Sequence, residues 1–248
     1  MLLVAAFWSI GELSGEIERS ASLDNFQLLA SEPVYRSIAG RTIAIAALVT
    51  VTDAILAFPL AFYMAKVATP RVRAALVVAV MLPLWSAYLV KAFAWRTILS
   101  QGGPLDWALD PFGLSGPGYG LTAVWLVMSY LWLPYMTIPI YAGLERIPDS
   151  LLNASEDLHA RPGYTFRRVI LPLAFPAVVA GSIFTFSLTM GDFIAPSLVG
   201  SGEQFIGTTI FSTITTNLPL AAAFATVPIA VMVVYLLGAR RLGAFEHV

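Results

Sequence analysis

The sequence predicts an all-α, polytopic membrane protein, and three observations carry that reading. Of the 248 residues, 58% are hydrophobic and only 12% are charged, about half the charge of an ordinary soluble domain. The charges are gathered in short clusters between long uncharged runs. No polar block is large enough to form a soluble domain of its own, so residues 1–248 read as one transmembrane domain. A cytosolic globule and a disordered chain are excluded by the same numbers. The spans must be helices, because lipid offers no partner to backbone N–H and C=O groups and the runs are too long for barrel strands.

A helical span needs about 20 mostly apolar residues to cross a hydrocarbon core about 30 Å thick. Arg41 and Lys66 bracket 24 residues with a single charge, Asp53. Arg73 and Lys91 bracket 17 uncharged residues, and the apolar character continues to Ile98. Tyr119 to Leu144 forms the next span, and the 23 residues between Arg168 and Asp192 the fourth. The 36 residues between Glu203 and Arg240 are too long for one span, and Asn217-Leu218-Pro219 interrupts them. Phe205–Thr216 therefore reads as a short packed helix and Pro219–Gly238 as the fifth full span. Met1 to Gly11 is uncharged but covers only about 16 Å as a helix, and it lacks the basic start of a signal peptide. It reads as a partial N-terminal span, the outer half of a sixth whose beginning is missing.

The basic residues set the orientation. Lys66, Arg71, Arg73, Arg146, Arg161, Arg167, Arg168, Arg240 and Arg241 fall on one side, which the positive-inside rule makes cytoplasmic, together with the C-terminus. The opposite segments hold only Arg19, Arg36 and Arg41 against Glu12, Glu16, Glu18, Asp24, Glu32, Asp106, Asp110 and Glu203, so the outer face is acidic. A net charge of −1 argues against nucleic acid as a partner. The absence of cysteine excludes thiolate chemistry, and two histidines, His159 and His247, are too few for a histidine-built metal site.

The longest inner segment, Glu145 to Pro172, carries the most informative pattern. Asp149 or Ser150 can cap a helix of about three turns that holds Leu151, Ala154, Ser155, Leu158 and Ala160, and Pro162-Gly163 breaks it. Such a helix on the inner face is either a docking element or a solvated loop joining two spans.

The residues themselves match a known motif. Ala154, Asp157, Leu158, Ala160, Phe166, Val169, Leu171 and Pro172 stand in register with the loop Glu-Ala-Ala-x-Asp-Leu-Gly-Ala, a short spacer, then Phe-x-x-Val-x-Leu-Pro, and Ser155 is a near match. The segment thus resembles the EAA loop of binding-protein-dependent ABC importer permeases. Asn153 replaces the family's glutamate and His159 its glycine. Glycine accepts positive φ freely and histidine only occasionally, so the turn at 159 is open. The resemblance runs from about Phe26 to Arg241. It includes Pro33-Val34-Tyr35, Phe58 to Tyr63, and Gly191-Asp192-Phe193-Ile194-Ala195-Pro196-Ser197-Leu198-Val199-Gly200. Together these look like the spermidine/putrescine-type permeases, the first of their two permease subunits in particular. Permeases for iron, phosphonates and sulfate share parts of the pattern.

The resemblance implies a type I ABC importer permease core in a prokaryotic inner membrane. It implies a second homologous permease, two ATPase subunits and an extracytoplasmic solute-binding protein as partners. The helix at 150–161, with Asn153, Ala154, Ser155, Asp157, Leu158, His159, Ala160 and Arg161, would sit on an ATPase. This chain has no glycine-rich phosphate loop ending in Gly-Lys-Ser/Thr. ATP and Mg therefore belong to the partner, and no enzyme activity or cofactor is expected here.

Two intramembrane acids are candidate pathway residues, because ionised groups at membrane depth are costly and usually face the bundle or a pathway. Asp53 equally suits an interhelical hydrogen bond, and Asp192 equally suits a cap for a short outer helix. Trp85, Tyr88 and Trp95 belong to an aromatic group whose default place is the interfacial belt; a minority can hold an ammonium group by cation–π attraction. Pro134, Pro139, Pro172 and Pro176 predict bends. An ion-driven secondary transporter is the competing function, but the chain shows no inverted repeat and the loop motif would go unexplained. An intramembrane enzyme fails for lack of a histidine or cysteine in any span.

Overall fold

The computed structural model describes residues 2–11, 17–19 and 21–241. Met1, Glu12, Glu16, His247 and the rest of 242–248 lie outside the described residues. In chain order the elements are α1 (Leu2–Ala5), β1 (Ser9–Ile10), β2 (Ile17–Glu18), α2 (Asp24–Ser31) and α3 (Pro33–Phe62), which runs on as a π-helical turn, Tyr63–Val67. Next come α4 (Pro70–Trp85), α5 (Tyr88–Ile98), α6 (Pro104–Leu109) and α7 (Leu121–Glu145). The loop helix α8 (Asp149–Asp157) is followed by α9 (Pro162–Thr165), which passes through a second π-helical turn, Phe166–Ile170, into α10 (Leu171–Gly191). Finally come α11 (Ile194–Val199), α12 (Ile206–Thr213) and α13 (Leu218–Arg241).

Among the described residues, four helices are long and apolar enough to cross a membrane: Pro33–Val67, Leu121–Glu145, Pro162–Gly191 and Leu218–Arg241. Their expected positions hold, and the expected short helix before the last span is α12. The remaining span, second in chain order and expected as one from residue 74 to Ile98, is the pair α4 and α5, broken at Ser86-Ala87. Ser86 is extended (φ −81°, ψ 145°) and its hydroxyl donates to the carbonyl of Pro83 at 3.0 Å. Pro83 itself has no N–H to give to the helix ladder, which weakens the last turn there. By contrast α7 stays one helix through Pro134 and Pro139, and α10 through Pro172 and Pro176.

The N-terminal segment also departs from the expected half-span. It makes one helical turn and then a small antiparallel hairpin pairing Ser9 with Glu18 and Ile10 with Ile17. The side-chain amide of Asn25 donates to the carbonyls of Ala6 (3.2 Å) and Trp8 (2.8 Å), so backbone groups that a longer helix would have satisfied find a partner at once.

The chain forms two compact units, and α3, α7, α10 and α13 contribute to both. One unit comprises Met1–Leu48, Tyr88–Met128 and Ser187–Val234. In it the N–H of Ile206 donates to the hydroxyl of Thr42 (3.0 Å), and Gly120 donates to the carbonyl of Val199 (2.8 Å). Phe205, Ile206, Phe224, Met128 and Met190 are among its large buried side chains. The other unit comprises Val49–Ala87, Ser129–Phe186 and Tyr235–Val248. Its core is Ala57, Ala61, Ala65, Met136, Ile140, Leu144, Ile147, Ile170 and Ala174. The alanines, with Gly143 against Ala177 and Gly181 against Met136, let helix backbones approach closely, the usual way apolar helices associate in lipid.

Candidate functional site: the loop helix and the buried acids

In the second unit, α8 is short, polar on one side and held at both ends. Pro148 occupies the cap position with extended backbone and no side-chain cap bond, so neither Asp149 nor Ser150 caps the helix as expected. Asp149 is instead the first helical residue, where its charge suits the helix dipole. Lys66, from the π-turn at the C-terminal end of α3, donates to Oδ1 of Asp149 at 2.8 Å and to the carbonyl of Ile147 at 2.6 Å. Its hydrogen bond, and next its charge, hold the Asp149 carboxyl below the usual carboxylate range. The pair therefore forms above the ordinary carboxylate pKa of about 4 and is lost as pH falls through the depressed value. Arg73 donates to the carbonyl of Ala65 at 3.1 Å and lies 3.5 Å from Oε1 of Glu145. Leu152 packs on the core cluster.

At its other end α8 stops at Asp157, one turn short of the expected helix. The amide of His159 bonds the carbonyl of Glu156 (2.8 Å) and that of Ala160 bonds Ser155 (3.0 Å). This is the paired bonding of a Schellman C-terminus, which needs a left-handed residue at 159. His159 supplies it, with φ +55°. The substitution of glycine is thus tolerated without losing the turn, at a cost of about 1 kcal/mol for a side chain in that region. His159→Gly should stabilise the loop by about that amount, read as slower amide exchange across α8.

The sequence-predicted contact residues are mostly displayed. Asn153, Ala154, Asp157, Leu158, His159 and Arg161 are exposed and Ala160 is half-buried. Leu158 is 82% exposed, unusual for a leucine with nothing to cover it. Ser155 is different: it is buried, and its hydroxyl lies 2.7 Å from that of Thr165. It ties α8 to α9 and is no part of the displayed face.

The predicted pathway residues separate between the two units. Tyr88, the first residue of α5, and Asp192 come together in the first unit. The tyrosine hydroxyl donates to Oδ2 of Asp192 at 2.6 Å. Oδ1 accepts the backbone N–H of Ile194 (2.9 Å) and Ala195 (3.4 Å) at the start of α11. Asp192 thus binds the α10–α11 corner to α5, while Phe193 occupies the cap position of α11. Trp95 lies half-buried in α5. Trp85 and Asp53 belong to the second unit. Trp85 is 86% exposed at the end of α4. Asp53 is completely buried, and among the described residues neither carboxylate oxygen has a hydrogen-bond partner. Ser129 is its polar neighbour, outside hydrogen-bonding geometry. Sequence reading missed Lys66, Glu145 and Thr165 as supports of α8. The only available signal was that Lys66 closes an otherwise apolar run.

Comparison with known proteins agrees with this architecture. Residues 46–244 match the family described as binding-protein-dependent transport system inner membrane component. The chain is 44% identical to the inner membrane ABC transporter permease protein YdcU of Escherichia coli K12, over 99% of this chain and 83% of that one. It is 31% identical to the spermidine/putrescine transport system permease protein PotB of Haemophilus influenzae, covering 75% of this chain and 65% of that one. Its fold resembles a chain of a bacterial ABC transporter that imports the polysaccharide alginate, with TM-score 0.77 at 18% identity over 97% of this chain and 86% of that one. With four uninterrupted apolar spans and a broken one among the described residues, and the loop helix α8 between α7 and α10, the chain belongs to the family of inner membrane components of binding-protein-dependent transport systems.

Proposed function

We propose that this permease subunit conducts polyamines, that its partners are a second, homologous permease and two ATPase subunits, and that α8 is the ATPase contact, with the C-terminus on the same cytoplasmic side. The observation that carries the ATPase contact is the displayed, end-anchored α8 with Leu158 at its tip. A helix fixed at both ends passes on a push, and an exposed leucine gives it an apolar anchor. The polyamine reading is supported by the relative named for spermidine and putrescine and by the acidic outer segments, which favour cations. ATP and Mg are assigned to the ATPase partner, since this chain has no phosphate loop.

The test is reconstitution of the chain with its second permease, ATPase and cognate binding protein. Spermidine or putrescine uptake that requires ATP and the binding protein is the expected result, with Ala154→Cys and Leu158→Cys cross-linking to the ATPase. Uptake driven by an ion gradient through this chain alone would overturn the reading. A cognate binding protein that holds sulfate, a phosphonate or iron would overturn the polyamine part only.

A further inference from the structure

Two cations, Lys66 in the π-helical turn that ends α3 and Arg73 in the first turn of α4, grip the link that leads into α8. Over the five residues from Glu145 to Asp149, three are held by these two cations: Glu145 by Arg73, and Ile147 and Asp149 by Lys66. The Lys66 side chain is only 10% exposed, and its ammonium is committed to both a backbone carbonyl and a carboxylate. It sits within the π-helical turn Tyr63–Val67, a local widening of the helix that is uncommon and often found at functional positions. Arg73 also bonds the carbonyl of Ala65 in the same turn. The connection is thus closed on itself within one unit.

The covalent neighbours of α8 are α7 and α9–α10. Chain connectivity alone would pass a displacement of α8 to those two spans. The Lys66 bonds add α3, the helix that carries the buried Asp53. We infer that Lys66 is a positioning residue that fixes the N-terminus of α8 to the inner end of α3, so that movement of the loop helix is passed to α3 as well as to its covalent neighbours. This rests on the proposed ATPase contact. The bond to the Ile147 carbonyl sets where the chain leaves α7, and the bond to Asp149 sets the direction of the first turn of α8. An arginine would keep the charge but not the compact ammonium that reaches both acceptors.

Two measurements test it. On the purified chain in nanodiscs, Lys66→Met should speed amide exchange over residues 149–157 at least tenfold while the spans keep their protection. The exchanged pair Lys66→Asp with Asp149→Lys should recover part of the protection. In the reconstituted importer, Lys66→Met should lower solute taken up per ATP hydrolysed at least fivefold with the ATPase still bound. Unchanged exchange of α8 would overturn the inference on the chain alone, whatever the fate of the transport reading. Faster exchange with unchanged uptake per ATP would overturn its coupling part. A wild-type assembly in which the binding protein elicits no ATP hydrolysis would instead overturn the proposed function, while the exchange result still decides whether Lys66 positions α8.

Discussion

Leu158→Asp should detach the ATPase from this permease and abolish ATP-dependent uptake. Burying a leucine contributes about 1.5–3 kcal/mol. An aspartate in the same place brings the further cost of a charge taken out of water. An apolar anchor at the centre of a small, charged contact carries more than its share of the binding energy, so a loss of at least tenfold in ATPase affinity is expected. The fold should be indifferent to the change, because the side chain is 82% exposed and touches none of the core cluster. Co-purification of the ATPase and uptake are the two readouts. Asp157→Asn, on the same displayed face, should have a milder effect, since exposed charge pairs contribute little. Membrane insertion with full ATPase retention in Leu158→Asp would place the contact elsewhere.

The second large effect is expected at Asp192. Asp192→Asn keeps the shape and one acceptor oxygen for the amides of Ile194 and Ala195 while removing the charge. Uptake of spermidine or putrescine should fall severalfold or more, with assembly and ATP binding intact. Tyr88→Phe separates the two roles of the acid. It leaves the charge and removes the tyrosine donor to Oδ2, exposing the cost of a polar atom that loses a partner, about 1–3 kcal/mol. A pathway role for the charge predicts that Asp192→Asn loses more uptake than Tyr88→Phe. A purely structural role predicts the reverse order, because asparagine can still bond at both positions. Unchanged polyamine uptake in Asp192→Asn would remove this residue from the pathway.

The helical class, the position of every uninterrupted span, the short helix before the last span and the place of α8 were legible in the sequence alone. Each follows from a local rule: lipid cannot bond a backbone, so an apolar run of sufficient length must be a helix. The motif around Ala154, Asp157 and Leu158 was legible because its spacing is contiguous in the chain. The tertiary structure alone decided what the polar groups within and beside those helices do. Tyr88 and Asp192 are 104 positions apart, and Lys66 and Asp149 are 83 apart. Nothing local announces either pairing, because each depends on how helices are packed. The break at Ser86-Ala87 was hidden for a related reason. Pro83 marks a weak point, yet Pro134 and Pro139 sit inside an intact α7, so proline in a span states only that a break is affordable to the fold. At His159 the residue type argued against a left-handed turn, and the two backbone bonds that close α8 impose it anyway. The chain's pattern of apolar and charged residues determines where it crosses the membrane, and the packing of its helices determines which of its few charges can act.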